Sequence, residues 1–451
     1  MRIKSLYAIL ILVIFPWRNV SMIASNLKIK DGVLEFAGYS TPALAKKYGT
    51  PLYLMDEQRI RDNCRMYQSA MEESFGNGAL TLYASKAASF KRIYEIVGSE
   101  GLGIDVVSSG EIHTAVKAGF PMEKAFFHGN NKTDADIAFA MEYGVGYFVV
   151  DNVEELYAIE HIAERKGLVQ RCLLRVTPGI DPHTYDAVAT GKVDSKFGVA
   201  IGTGQAEEFY RYAAALPHLQ VEGLHCHVGS MVFDEDVYER TAQIMLEFMA
   251  KLHHEYGFET KILDLGGGYG VRYRESEGVV DIPYRISALA GFMKDLSEKL
   301  EISFPSVMLE PGRSIVADAG LTVYTVGSVK RIKGYKNYVS VDGGMTDNPR
   351  YALYKSNYTV FAPERMEAPP TLHCDVVGRC CESDDIIQPD VWLPELRRGD
   401  LLAVATTGAY NYAMASHYNR IPNAPIIMLS PKGTSVAVKR ETLDQMIKND
   451  V

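Results

Sequence analysis

The sequence predicts a (β/α)8 barrel of the α/β class, joined to a second domain that is an antiparallel β-sandwich or β-barrel. Three observations support this fold class. Eight short apolar runs each end in a polar or glycine-rich cluster, helix-like stretches separate them, and the chain of 451 residues is longer than one barrel. Alternating strands and helices build a parallel sheet, and eight such units fit a barrel of about 250 residues.

The predicted barrel strands follow one another at the spacing of strand–helix units. In chain order they are Leu80–Ala87, Gly103–Ser109, Ala125–Asn130, Tyr147–Asp151, Cys172–Pro178, Val221–Ser230, Ile262–Gly270 and Val307–Arg313. Asp151 with Glu154, and Thr133 with Asp136, have the spacing of capping boxes and predict the starts of two helices. Chemistry in such a barrel lies at the C-terminal ends of the strands, so the polar residues there are candidates for a site.

After Arg313 the pattern changes to strands without long helices between them, which favours an antiparallel domain. These predicted strands are Val323–Ile332, Asn337–Val341, Thr371–Val377, Asp400–Val404, Ala424–Ser430 and Ser435–Lys439. A short strand pattern and a helix pattern also lie within Asp31–Tyr53, before the barrel. We therefore assign residues 56–314 to the barrel, and residues 22–55 together with 315–451 to the β domain.

Charge and cysteine usage exclude several classes of protein. The formal net charge is −9 and no basic stripe is present, so binding to nucleic acid is not expected. The six cysteines show no CxxC spacing, and two lie inside predicted barrel strands, which indicates reduced thiols rather than a disulfide framework. We expect a cytoplasmic protein that acts on a small molecule.

The N-terminal segment conflicts with this expectation. Basic residues precede an apolar run over Leu6–Phe15, as in a signal peptide. The run is too short to span a membrane comfortably, and Ser21–Ser25 makes a poor cleavage site. One interpretation is that translation starts at Met22 and residues 1–21 are upstream sequence. The other is that they direct export or anchor the chain.

Three polar clusters at predicted strand ends are candidates for binding a charged ligand. Lys86 is either a lysine that reaches solvent or a desolvated lysine with a lowered pKa that forms a Schiff base. The glycines of residues 266–268 form either a tight turn or a backbone cradle for phosphate. Glu310 and Arg313 either pair with each other or separate. In the second case Glu310 meets a protonated ring nitrogen and Arg313 meets a substrate carboxylate.

Further candidates are two histidines, a cysteine and a tyrosine. His225 and His227 are two residues apart on one predicted strand and face the same side. No third ligand accompanies them, so we predict no metal, and a histidine stacked on an aromatic cofactor fits better. Cys381 beside Glu382 is either a small buried apolar residue or a protonated acid, because carboxylates disfavour the thiolate. Tyr410 lies in a predicted loop from which its phenol could reach a phosphate.

Nine segments together resemble one enzyme family. They are YASKA (83–87), DVVSSGE (105–111), HTYDAVATGKVDSKFG (183–198), HCHVGS (225–230), DLGGGYG (264–270), EPGR (310–313), DGGMTDNPRYALY (342–354), CESDD (381–385) and ATTGAYNYAMASHYN (405–419). On these motifs the chain resembles the diaminopimelate decarboxylases, which are pyridoxal 5'-phosphate (PLP) enzymes of the alanine racemase-like barrel class. That class also contains ornithine and arginine decarboxylases. Departures from the family pattern at Tyr185, Asp384 and residues 355–357 fall on the substrate side.

The resemblance implies a carboxy-lyase that converts meso-2,6-diaminopimelate to L-lysine and CO2, the last step of lysine biosynthesis. It implies that Lys86 carries PLP, that Glu310 pairs with the ring nitrogen, and that Cys381 supplies a proton. The other implied cofactor contacts are Asp105, Arg175, His227, Ser230, Gly266, Gly267, Gly268, Gly312, Arg313 and Tyr410. The implied substrate contacts are Arg313, Arg350, Tyr354, Glu382 and Tyr410. In this family the cysteine crosses a dimer interface, so we expect a homodimer with shared sites.

Other functions stay open on the sequence alone. A related decarboxylase acting on ornithine, lysine or arginine would bind a substrate that ends in a cation, which two arginines placed for a distal carboxylate disfavour. A non-catalytic relative would have no need to retain Lys86, Glu310 and Cys381 together. A metal-dependent barrel hydrolase is a third alternative, which analysis of bound metal would test.

We predict that removing residues 1–21 leaves a soluble and fully active protein, because both predicted domains begin at or after Met22. Activity of the purified truncated chain measures this. Fractionation of cells that express the full chain tests the competing interpretation. Recovery of the full chain in the membrane or outside the cytoplasm would contradict a start at Met22.

Overall fold

The computed structural model of the chain describes residues 22–181 and 191–451. The expectations for residues 1–21 and for Tyr185 therefore lie outside the described residues. Within the two described ranges, no helix combines the length and apolar character needed to cross a membrane.

The first described elements are a small antiparallel sheet and a short helix. They are β1 (Leu27–Lys30), β2 (Val33–Phe36), β3 (Tyr39–Ser40) and α1 (Thr41–Tyr48), followed by β4 (Leu52–Asp56). β4 is buried along its whole length and belongs to the large sheet of the second domain. This segment therefore packs with the C-terminal part of the chain before the barrel begins.

Eight parallel strands alternate with helices to form the barrel. The strands are β5 (Leu80–Ala84), β6 (Gly103–Val106), β7 (Ala125–Phe127), β8 (Tyr147–Val150), β9 (Gln170–Thr177), β11 (Leu219–His225), β12 (Ile262–Asp264) and β13 (Ser306–Leu309), with β10 (Val199–Ala200) added beside the end of β9. The helices are α2 (Glu57–Phe75), α3 (Lys91–Ser99), α4 (Ser109–Lys117), α5 (Asp134–Glu142), α6 (Val153–Lys166), α7 (Gln205–Ala214), α8 (Val237–Tyr256), α9 (Ile282–Lys299) and α10 (Arg313–Val316). The barrel is closed because β13 pairs with β5.

The barrel strands are apolar because helices cover their outer side and side chains fill the inside. A layer of apolar side chains lies within the barrel: Leu82, Phe126, Val149, Leu173, Ile262 and Met308. Leu82 and Ala84 of β5 point to the same side, and Ala84 lines a cavity at the C-terminal end of the barrel. The packed layer therefore forms the floor beneath that cavity.

The second domain is a mostly antiparallel sheet. Its strands are β4, β14 (Gly320–Ile332), β15 (Lys336–Val341), β16 (Val360–Phe361), β17 (Leu372–Val377), β18 (Ile386–Leu393), β19 (Leu401–Ala405), β20 (Ile426–Ser430) and β21 (Gly433–Val438), with helices α11 (Arg350–Tyr354) and α12 (Leu443–Met446). Only two of its pairings are parallel, β15 with β17 and β20 with β4. The predicted fold class is confirmed, while the division at residues 56 and 314 stays a prediction.

Several local expectations differ from the structure. The first barrel strand ends at Ala84, and Ser85–Ala87 form a 3-10 turn. The capping box at Thr133 is confirmed, but Asn152 rather than Asp151 caps α6, because the Asn152 side chain accepts the Glu155 N–H. Strand β18 was not predicted, because its run contains Pro389 and so does not resemble a regular strand.

A buried ion pair fixes the loop after β7 to α6. Lys132 Nζ lies 2.7 Å from Glu155 Oε1, and the two side chains are 1% and 3% exposed. The same ammonium donates to the carbonyl oxygens of Gly129 at 3.0 Å and Val149 at 2.8 Å. The Lys132 ammonium therefore joins two parts of the loop that begins at His128 and also connects this loop to the end of β8.

We predict that Glu155→Leu destabilises the protein by about 3–5 kcal/mol, because it leaves the Lys132 ammonium buried without its counter-charge. The change in the free energy of unfolding is measured by denaturant unfolding, followed by circular dichroism. The double variant Lys132→Met, Glu155→Leu removes both charges and is expected to recover most of the loss. If the double variant is as unstable as the single one, packing rather than charge dominates at this position.

Candidate active site

A cavity of about 460 Å³ opens at the C-terminal ends of the barrel strands, against the second domain. Most of the predicted site residues line it: Lys86, Asp105, Arg175, His227, Ser230, Gly268, Glu310, Gly312, Arg313, Arg350, Tyr354 and Tyr410. The last three come from beyond the barrel, so the cavity lies where the two parts of the chain meet. Four predicted residues do not line it: Gly266, Gly267, Cys381 and Glu382.

Lys86 lies in the 3-10 turn after β5 and faces this cavity. The backbone N–H of Tyr410 donates to the Ala87 carbonyl at 2.7 Å, which brings the Tyr410 loop against the turn. Desolvation by the cavity walls lowers the pKa of Lys86, but the charges of Asp105, Tyr410 and Glu310 outweigh it and raise the pKa above its ordinary value. The expectation of a lowered pKa is therefore wrong, because that expectation ignored two carboxylates contributed by other strands.

Glu310 lies at the end of β13 between two imidazoles, and not in the pair with Arg313 that the sequence left open. His128 Nε2 is 2.8 Å from Glu310 Oε1, and His225 Nε2 is 3.3 Å from Glu310 Oε2. Burial alone would raise the pKa of Glu310, but the two imidazoles hold it well below its usual range. Burial also lowers the pKa of His225, to about 3. An anionic Glu310 beside a neutral His225 is therefore the stable arrangement.

Asp264 completes this cluster from β12. Its side-chain oxygen accepts the Gly266 N–H at 2.9 Å. Burial raises the pKa of Asp264 well above its usual value, and the neighbouring Glu310 adds to the increase. Since two carboxylates this close cannot both ionise cheaply, Asp264 carries the proton and Glu310 the charge.

The expectation that no third ligand accompanies His225 is wrong. His128, His225, Asp264 and Glu310 each offer a ligand atom, and these atoms lie within 4.8 Å of one another. Both imidazole–carboxylate contacts are of hydrogen-bond length, but only that of His225 is also aligned as a hydrogen bond. Neither His128 nor Asp264 was predicted as a site residue, although His128 directly follows β7 at the same level as the other strand ends.

A second part of the cavity is lined by Gly268, Gly312, Ser230 and Arg313. Gly268 has φ of +119°, and a Cβ there would come within 2.0 Å of the Gly229 carbonyl oxygen, so only glycine fits. The Arg313 guanidinium lies 3.2 Å from Ser230 Oγ. This region has the donors that a phosphate needs.

The assignment of Gly266 and Gly267 to the phosphate stays a prediction, and neither residue lines the cavity. The Gly266 N–H donates to Asp264, as described above, and the Gly267 N–H donates to His227 Nδ1 at 3.3 Å. Their amide groups are therefore already used in orienting side chains. Gly268 is the member of the glycine run that faces the cavity.

Two buried arginines face the cavity without a carboxylate partner. Arg313 donates to the Tyr273 hydroxyl at 2.8 Å, and Arg350 donates to Ser356 Oγ at 3.1 Å. Both are at most 6% exposed, and no carboxylate of the described residues lies within 4.0 Å of either guanidinium. A buried cation without an anion is costly, so this end of the cavity suits a ligand that carries a carboxylate.

Cys381 and Glu382 lie outside the cavity on an exposed segment. The Cys381 N–H donates to Asn419 Oδ1 at 2.7 Å, and the Tyr418 hydroxyl donates to Glu382 Oε2 at 3.2 Å. All six cysteines are free thiols, and Cys381 is the exposed one. Within one chain, the structure does not bring these two residues to the other site residues.

The donor set fits PLP. Glu310 Oε1 is buried and has no aligned hydrogen-bond donor among the residues described, so a protonated ring nitrogen would satisfy it. Lys86 provides the amine, and the region around Gly268 provides phosphate donors. The imidazole of His227 lies on the cavity wall between these groups and can cover an aromatic ring.

Comparison with known proteins agrees with this geometry. Residues 57–317 match the family described as pyridoxal-dependent decarboxylase, pyridoxal binding domain. Diaminopimelate decarboxylase of Bacillus subtilis is 41% identical over 422 residues, which cover 94% of this chain and 96% of that protein. The enzyme of Staphylococcus aureus is 39% identical over 93% of this chain and 98% of its own.

Solved structures give the same result. Diaminopimelate decarboxylase from M. jannaschii in complex with L-lysine has a TM-score of 0.87 at 31% identity, covering 95% of this chain and 98% of that one. The Helicobacter pylori enzyme with L-lysine has a TM-score of 0.82 at 32% identity, covering 91% and 98%. The resemblance inferred from the sequence motifs and the PLP cofactor are thereby confirmed. The chain belongs to the pyridoxal-dependent decarboxylases and, within them, to the diaminopimelate decarboxylase family.

Proposed function

We propose that this chain removes CO2 from meso-2,6-diaminopimelate to give L-lysine, the last step of lysine biosynthesis. The observation that carries the proposal is the pair of buried guanidiniums, Arg313 and Arg350, which face the same cavity as Lys86 and have no carboxylate partner among the residues described. Diaminopimelate has a second carboxylate to place there, whereas ornithine, lysine and arginine end in a cation. The relatives named above support the same substrate.

When bound, PLP accepts the electron pair that remains after CO2 leaves. We assign Lys86 to hold the cofactor covalently and to release it to the substrate amine. Glu310, kept ionised by its imidazole neighbours, stabilises a proton on the ring nitrogen and so preserves the electron-accepting form. Asp105 and Arg175 border the same space and complete the charge balance around Lys86.

The remaining cofactor contacts divide by their position in the cavity. We assign His227 to the face of the ring. Ser230, Gly268, the backbone of Gly312–Arg313 and the Tyr410 hydroxyl are assigned to the phosphate. Tyr410 also packs against the end of the cavity that holds the two arginines, since its ring centroid lies 4.6 Å from the Arg313 guanidinium. These contacts fix the cofactor at three points, which limits the orientations that the substrate can adopt.

The distal end of the substrate meets Arg313, Arg350, Tyr354 and Glu382. An L-amino acid end carries one carboxylate and one ammonium, which these guanidiniums and the Glu382 carboxylate can pair. A substrate without that end would leave buried charges unpaired, which costs more than a missing apolar contact. Selectivity for diaminopimelate follows from that penalty.

We further propose a homodimer in which the partner subunit's Cys381 and Glu382 complete each site. On their own chain both residues are exposed and lie outside the cavity. The Cys381 thiol would donate its proton to the carbon that has lost CO2, on a side of the cavity that a single chain leaves open. We also propose that the enzyme works in the cytoplasm on this small molecule alone, without nucleic acid.

We predict that the purified protein forms lysine from meso-diaminopimelate and that Lys86→Ala abolishes this activity without unfolding the chain. The reason is that no other lysine lines the cavity within the described residues. Amino-acid analysis of the product measures turnover, and Lys91→Ala, an exposed lysine five residues later, is the matched control. Turnover by Lys86→Ala at the parent rate would place the cofactor on a different lysine.

We predict that Arg350→Met raises KM for meso-diaminopimelate by roughly 10–100-fold, the loss expected when a charged hydrogen bond to the substrate is removed. Steady-state kinetics measure it. Arg274→Met, which removes a nearby guanidinium that does not line the cavity, serves as the control. An unchanged KM in Arg350→Met would mean that the distal carboxylate binds elsewhere.

We predict that Lys86→Ala and Cys381→Ala proteins, each poorly active alone, restore activity when their subunits exchange. In a two-fold dimer, random mixing makes about half of the dimers mixed, each with one intact site, so about a quarter of the parent activity should return. Activity that stays at the sum of the two parents after verified exchange would show that Cys381 serves its own chain.

A further inference from the structure

The carboxylate of Glu310 is enclosed by charged and titratable groups from every neighbouring strand. These groups are Lys86, Asp105, His128, Arg175, His225 and Asp264. Asp264 carries the proton, so Asp105 is the carboxyl group whose charge would repel one on Glu310. The side chain of Glu310 is only 5% exposed, so water contributes little to stabilising that charge. A dedicated donor beside each Glu310 oxygen is therefore needed.

His128 is placed to be one of these donors. Its Nε2 is 2.8 Å from Glu310 Oε1, and neither atom has another hydrogen-bonding partner in the part of the chain that is described. The ring N–H is not aligned with the oxygen, but the torsion that turns the ring is broad, so a small rotation aligns it. The ring also meets His225 edge to face, with ring centroids 4.8 Å apart. The two imidazoles therefore lie side by side, and each faces a different oxygen of the Glu310 carboxylate.

The backbone around His128 is unusually well fixed for a loop. The His128 N–H donates to the Val106 carbonyl at 2.8 Å. Four residues later the Lys132 ammonium holds the Gly129 carbonyl and Glu155 in a buried pair. A loop anchored on both sides of His128 keeps the imidazole beside Glu310 with little loss of entropy on ligand binding.

We propose that His128 is a positioning residue that holds the Glu310 carboxylate as an anion aimed at the cofactor ring nitrogen, with the Lys132–Glu155 pair fixing its loop. The inference rests on the proposed function for the role of Glu310. His128 acts through Glu310 and needs no contact with the substrate.

The test compares two substitutions at one position in the cofactor-loaded enzyme. His128→Leu removes the donor while keeping an apolar side chain of similar size. His128→Gln keeps an N–H near the position of Nε2. The readouts are kcat and KM for meso-diaminopimelate, and the 15N resonance of the ring nitrogen in enzyme loaded with 15N-labelled PLP. His218→Leu is the control, since it breaks a histidine–glutamate contact of 2.7 Å with Glu160, away from the cavity.

We expect His128→Leu to lower kcat by roughly 10–100-fold, with KM near the parent value, as for other groups that orient a primary contact. Its 15N resonance should move toward that of an unprotonated pyridine. His128→Gln and His218→Leu should resemble the parent in both readouts. A parent-like resonance in His128→Leu, or equal damage in the leucine and glutamine variants, would overturn the proposal.

The resonance also separates this inference from the proposed function. If the parent enzyme fails to make lysine but His128→Leu still shifts the ring-nitrogen resonance, the substrate assignment fails and the role of His128 stands. Thermal unfolding of each variant, measured by circular dichroism, identifies any variant that has lost its fold. Should His128→Leu unfold, comparison of His128→Gln with the parent still tests the donor, and a displaced resonance there would count against it.

Discussion

The structure depends on keeping one carboxylate charged in a place where water cannot reach it. Glu310 is almost fully buried, next to the protonated Asp264, and its charge is held by imidazoles from two other strands. Closing the barrel is what brings these groups together, because each comes from a different strand end. Removing one partner from such a cluster leaves an uncompensated charge, so the fold and the site support each other.

The second domain supplies what the barrel alone does not have. β4 and β20 pair beside β14, which leads out of the barrel, so the sheet is anchored at the mouth of the cavity. Arg350, Tyr354 and Tyr410 then reach the cavity from this domain. The Arg350 guanidinium, together with Arg313 at the end of the barrel, turns a general PLP cavity into one that suits a dicarboxylate. Cofactor and substrate contacts therefore come from both parts of the chain.

The sequence predicts the fold class and most cavity residues, because strand ends in a barrel converge whatever their distance in the chain. Lys86 and Glu310 follow from that rule. His128 and Asp264 were missed because their role comes from contacts across the barrel, which no local pattern encodes. Gly266 and Gly267 looked equivalent to Gly268, but hydrogen bonds to side chains occupy their amides. The pKa of Lys86 was misjudged because charges from other strands outweigh its burial.

The most direct test of the account is to locate the lysine that binds the cofactor. Borohydride reduction of the PLP-loaded enzyme, followed by proteolysis and mass spectrometry, identifies the modified residue. The account predicts a single cofactor adduct on the peptide that contains Lys86. An adduct on Lys132, the buried lysine held by Glu155 nearby, would contradict it, and so would the absence of any reducible adduct.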